Sequence, residues 1–110
     1  MKKNPFIGKW RITEMEQWDL DFIDEEEKGY IEFGKGDQGD FHFGCVKGSM
    51  DCEIETVGGN PRIEFSWDGT DEMDETSGRG WARIEKDGTL YGMIAFHMGE
   101  RSWFKAKRMK

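Results

Sequence analysis

The chain has 110 residues, enough for one domain with a modest buried core. Its formal charge of −7 argues against a nucleic-acid backbone or an anionic membrane as main partner, because both call for a basic surface. Apolar and charged residues each make up 35%, yet 14% aromatic residues is too rich for a disordered acidic chain.

No apolar run reaches the length of a membrane-spanning helix. Met1-Lys2-Lys3 leads into Asn4-Pro5 rather than a hydrophobic stretch, so a secretory signal is not expected. The expected location is the cytoplasm, with Cys45 and Cys52 reduced. The lysine clusters at 2–3 and 105–110 read as solvated tails.

Alternation at period two predicts strands over residues 9–15, 29–33, 40–46, 50–57, 61–67, 80–85, 89–97 and 101–108. With fifteen glycines and two prolines, tight turns are the natural connectors. Gly48-Ser49 suits a two-residue hairpin turn that sets Phe43 opposite Ile54 and Cys45 opposite Cys52. That register puts the two thiols within geometric reach of a disulfide, although two small buried hydrophobes is the favoured reading in a reducing compartment. Gly58-Gly59 suits a second turn that opposes Ile54 to Ile63, and Lys86-Asp87-Gly88 a third that opposes Ile84 to Leu90. All three keep one apolar face continuous, as a meander requires. A sheet with one apolar face must close or meet a second layer. With at most one helix in sight, the expected fold is all-β: a single eight-stranded antiparallel up-and-down barrel over residues 1–110.

Gly8-Lys9-Trp10 at the head of the first strand and Arg108 at the end of the last resemble the calycin group of barrels: lipocalins, fatty-acid-binding proteins and avidins. The resemblance implies a structural plug in which the Arg108 guanidinium stacks on the Trp10 indole beside Gly8 and bonds to carbonyls of loops at that end. It also implies a ligand site at the opposite mouth. The stretch from Phe65-Ser66-Trp67 to Gly80-Trp81 further resembles small uncharacterised bacterial proteins, which implies no activity.

Two long connectors, 16–28 and 68–79, are expected at the mouth, where barrels hold ligands. Trp18 and Phe22, four apart, fit either a short lid helix, the stronger reading, or an irregular loop. The acidic run from Asp24 to Glu27 reads as solvated. So does the acidic set of 68–75, because the spacing of a calcium-binding EF-hand loop is absent. Carboxylates around the mouth oppose a fatty acid and steer in a neutral or cationic molecule. The expected ligand-binding set is Glu14, Trp18, Phe22, Trp67 and Met98, with Glu14 pointing inward after Trp10 and Ile12. His42 reads as a surface residue and His97 as a mouth residue. Neither completes a metal or catalytic set, so no cofactor, metal or catalytic residue is assigned. The first functional expectation is non-enzymatic binding of a small ligand. The second is a protein-interaction module or homodimer using Trp81, Tyr91, Met93 and Trp103, which share outward parity on three successive strands.

Overall fold

A computed structural model describes residues 4–109. The Lys2-Lys3 pair and Lys110 of the terminal lysine clusters lie outside the described residues. The elements are β1 Gly8–Met15, α1 Leu20–Ile23, β2 Tyr30–Phe33, β3 Gln38–Phe43, β4 Val46–Val57, β5 Asn60–Asp71, β6 Asp74–Ile84, β7 Leu90–Phe96 and β8 Arg101–Arg108. Each strand pairs antiparallel with the next, and β8 closes on β1 through Trp10↔Arg108, Ile12↔Ala106 and Met15↔Phe104. This is the expected closed eight-stranded up-and-down barrel, with one short helix after the first strand. Among the described residues no helix is long and apolar enough to cross a membrane.

Two of the three expected turns hold. Val57 pairs with Asn60 around Gly58-Gly59, and Ile84 with Leu90 around residues 85–89. The third is corrected: the β3–β4 turn is Gly44-Cys45, between Phe43 and Val46. Gly44 has φ +57, a left-handed conformation that Gly adopts without strain. Gly48 and Ser49 lie inside β4 instead, opposite Phe41 and Asp40. Cys45 and Cys52 are therefore not opposed, Cys52 pairs with Phe65, and both thiols are free.

The expected long connector 68–79 is also corrected. β5 and β6 run on through it as paired strands to a tight turn at Glu72-Met73. Its positions of inward parity are Gly69, Asp71, Asp74, Thr76 and Gly78, so apolar alternation vanishes although the strand does not. Only one long connector, between β1 and β2, remains at the mouth.

Inward glycines explain how so small a barrel holds its aromatic rings. Phe41 lies over Gly48, Phe65 over Gly80 and Phe104 over Gly92, so a methyl group at any of the three would meet a ring. Each ring fills the space its cross-strand neighbour leaves empty. Phe33, Phe41, Phe43, Trp67 and Phe104 are all buried in one continuous core with Trp10 and Ile94.

Candidate functional site

At the mouth, Asp19 caps α1 by accepting the Phe22 N–H at 3.0 Å. The helix carries Phe22 onto Gly44, where any side chain would collide with the ring. Trp18 stacks on Phe22 at 5.9 Å and packs on Phe43 at 5.1 Å and Phe96 at 6.0 Å between centroids. Trp67 meets Phe96 at 5.1 Å and Phe41 at 5.0 Å, both edge to face. Trp18, Phe22 and Trp67 thus come together as expected, and they seal the mouth ring against ring. The buried Trp67 Nε1 has no hydrogen-bond partner.

Glu14 and Met98 do not join them. A bulge between Ile12 and Glu14 reverses the parity of β1, which turns Glu14 out to solvent and buries Met15. Met98 sits on the β7–β8 turn at φ +57, 94% exposed, beside an exposed His97.

The acidic run 24–27 is not simply solvated. Arg11 grips Asp24 through two parallel bonds, Nη1 to Oδ1 at 2.7 Å and Nη2 to Oδ2 at 2.6 Å. The Gly29 N–H donates to Asp24 Oδ1 at 3.0 Å, and the Gly44 N–H to Ile23 O at 2.8 Å. Together these latch the lid to the barrel wall. Partial burial would raise the Asp24 carboxyl, but the Arg11 hydrogen bond, the Gly29 N–H and the Arg11 charge hold it below its ordinary 3.8. A lowered folded pKa gives stability that is present above the unfolded value and lost as pH falls through the folded one. Asp24→Asn is therefore expected to cost roughly 1–2 kcal/mol near neutral pH, in the range of charge-assisted hydrogen bonds. Its deficit against the wild type should shrink below about pH 4. Urea unfolding at several pH values checks this; a pH-independent deficit would count against the latch.

His42 is buried rather than a surface residue, because the same run folds over it. Its Nε2 lies 3.2 Å from Glu26 Oε1 and 3.0 Å from Gly44 O, and its Nδ1 3.3 Å from Glu27 Oε2. The Cys45 thiol donates to Glu25 Oε2 at 3.1 Å. That bond and the surrounding negative charge push the Cys45 thiol up to about 12, while burial carries Cys52 to about 11. Cys45 should therefore react with iodoacetamide far more slowly than a free thiol near pH 8.5. Glu25→Gln should lower the midpoint of its pH–rate profile by a unit or more, roughly tenfold in rate. An unchanged profile would remove Glu25 as the cause. Among the described residues no His, Cys, Asp and Glu grouping could hold a metal ion.

On the outer wall, Trp81 pairs across to Met93 and Met93 to Trp103, with Tyr91 one row away between Arg83 and Lys105. All four expected residues are contiguous and half-buried. Tyr91 lies 6.0 Å from Trp81 and 6.3 Å from Trp103. Cations at neighbouring outward positions lie over them. Arg62 sits 4.7 Å over Trp81, Arg83 5.0 Å over Tyr91 and Lys105 5.5 Å over Trp103. Parity made the aromatic patch visible in sequence, but its cationic dressing needed the cross-strand register.

At the far end the plug is formed. The Arg108 guanidinium lies 4.2 Å over the Trp10 ring. It donates to Ile7 O at 2.9 Å and Pro5 O at 2.8 Å, so the N-terminal segment supplies the carbonyls expected from loops. Trp10 Nε1 donates to Phe6 O at 3.0 Å, and Phe6 is fully buried. Gly8 has φ +130, and a Cβ there would stand 2.9 Å from Arg108 Nη1. Compared with known protein families, curated proteins and solved structures, the chain matches none of them.

Proposed function

We propose that this calycin-like barrel is a non-enzymatic interaction module of lipocalin type, and that its working surface is the outer wall of β6–β8. The observation that carries this reading is the contiguous, half-exposed patch of Trp81, Tyr91, Met93 and Trp103. Aromatic and Arg side chains are the residue types that dominate interface energetics. The mouth supports it indirectly, since the rings that would line a ligand cavity are packed against one another. A photo-crosslinking amino acid at position 93, in cells producing the protein, should yield a discrete adduct of higher mass. The same probe at solvent-exposed position 73 serves as control. Identical smears at both positions would reject the outer wall as the working surface.

A second reading keeps a small neutral or cationic ligand at the mouth. It is favoured by the unpartnered Trp67 Nε1 among aromatic faces and by the carboxylates of the lid, and it requires α1 to swing away. Quaternary ammonium and small aromatic compounds should then raise the melting temperature in a dose-dependent way. A screen without any such shift would eliminate this reading.

A further inference from the structure

The register sorts charge around the barrel. Outward positions of β7 and β8 carry no carboxylate, and those of β6 carry one, Glu75, near the hairpin tip. On the same faces stand Arg79, Arg83, Arg101, Lys105 and Lys107, interleaved with the aromatic patch. Outward positions of β2–β5 are the reverse, with Glu32, Asp40, Asp51, Glu53, Glu55 and Glu64 against few cations. A net charge of −7 conceals this division.

The acidic side is also concave. An open groove of about 830 Å³ runs between Glu32, Asp40, Asp51 and Asp68, with Met50 among its lining residues. A second, of about 980 Å³, shares Asp51 and Ser66 with it and continues past Glu53, Glu55 and Glu64 to Arg79 on β6. Negative charge is crowded there: the hydrogen bond to Glu64, slight desolvation and the repulsion of Glu64 and Glu53 hold the exposed Glu55 carboxyl above its ordinary range. The groove therefore ends where the basic wall begins, at the Glu64↔Trp81 pairing of β5 with β6.

We propose that the basic aromatic wall of β6–β8 docks into the acidic groove of β3–β5 on a second copy of this chain, in a two-fold dimer about the β5–β6 boundary. The proposal rests on the outer wall being the working surface and names its occupant. Because the two walls adjoin, a two-fold axis at that boundary faces the β6–β7 side of each basic wall with the β4–β5 part of the partner's acidic groove, so the contact closes. Facing like walls would instead oppose Arg to Arg or Glu to Glu. At physiological salt the Debye length is roughly 8 Å, so contact-scale complementarity outweighs the net repulsion between two acidic chains. A standard interface needs roughly 800 Å² per partner, a small part of the 7120 Å² surface. Single-stranded nucleic acid fits less well. Arg62 and Arg83 already occupy the indole and phenol faces on which bases would stack.

The test is sedimentation velocity of the full chain over a concentration series at about 0.1 M and about 1 M salt, where the Debye length falls from roughly 10 to 3 Å. A reversible dimer at low salt that dissociates at high salt is expected. Arg79→Glu with Arg83→Glu should weaken it about tenfold or more, and so should Asp51→Lys with Glu53→Lys. Mixing the two double variants should restore a dimer, because each then offers the charge the other has lost. Unchanged circular dichroism of the variants separates a lost contact from a lost fold; if a pair does not fold, the single changes Arg83→Glu and Glu53→Lys replace it. A protein that stays monomeric at both salts, or a dimer indifferent to salt and to the swaps, overturns the proposal. A monomer that captures poly-glutamate, or whose position-93 adduct contains a foreign protein, overturns the second copy as occupant while leaving the outer wall as working surface. Binding of a single-stranded oligonucleotide in place of self-association overturns it as well.

Discussion

Trp10→Ala is expected to lower the melting temperature by roughly 15 °C or more. The indole is fully buried, and truncating a buried Trp costs roughly 3–5 kcal/mol. In a domain of this length each kcal/mol moves the midpoint by roughly 4 °C. Several contacts fail together. The Phe6 carbonyl loses its donor at 3.0 Å, and Arg108 loses the ring 4.2 Å beneath it. The Pro5 and Ile7 carbonyls are held by that guanidinium, so the N-terminal segment loosens and Phe6 with it. Against a total stability on the order of 5–15 kcal/mol this is a large fraction. Arg108→Lys should cost roughly 1–2 kcal/mol, because Lys keeps the charge but lacks the planar face and the two-pronged donor set. Thermal denaturation followed by circular dichroism reads both. A Trp10→Ala protein melting within about 3 °C of the wild type would show that Arg108 and Trp10 touch without closing the barrel.

The plug was legible because its residues lie at the ends of the chain. Closure makes the first and last strands neighbours, and parity alone puts Trp10 and Arg108 on the same side. The β4–β5 and β6–β7 registers were legible for a different reason, since a glycine turn and an apolar cross-strand pair agreed at each. At Gly48 the same logic failed. Period-two patterning cannot detect a slip by an even number of residues, because every side chain keeps its face. Phe43 and Cys52 are both inward whether the turn is Gly44-Cys45 or Gly48-Ser49. The deciding contact, the Phe22 ring lying on Gly44, comes from a lid more than twenty residues away in sequence.

Site residues divide along the same line. The outer patch of Trp81, Tyr91, Met93 and Trp103 followed from parity on regular strands. Glu14 did not, because a single bulged residue reverses everything after it and carries no sequence mark. The Arg11–Asp24 grip and the Glu26 and Glu27 contacts to His42 were hidden inside what reads as an ordinary acidic run. The division of charge between walls was hidden as well, since it exists only after the strands are wrapped.

The second large effect concerns the glycines that made residues 68–79 look like a loop and Gly48 look like a turn. Gly48→Ala is expected to destabilise the protein by roughly 1–3 kcal/mol, the range for overpacking a filled core. Its backbone is not left-handed, so the cost is purely one of space. A Cβ at 48 would stand 2.5 Å from Phe41 Cζ and 3.0 Å from Trp67 Cε3, and none of its nearest neighbours is backbone. Gly69 and Gly78 would instead press on carbonyl groups of the next strand, which no side-chain change can relieve. The clash at 48 should therefore be correctable by shortening the ring. Phe41→Leu alone should cost roughly 1–3 kcal/mol by opening a cavity, yet the double variant should be clearly less destabilised than the sum of the two. A coupling of about 1 kcal/mol or more in that direction would establish that ring and glycine form one packing unit. Strict additivity would mean that Phe41 does not fill the space above Gly48. The inward glycines would then be only the bends a small barrel needs, and the interior would have room that its aromatic rings do not take.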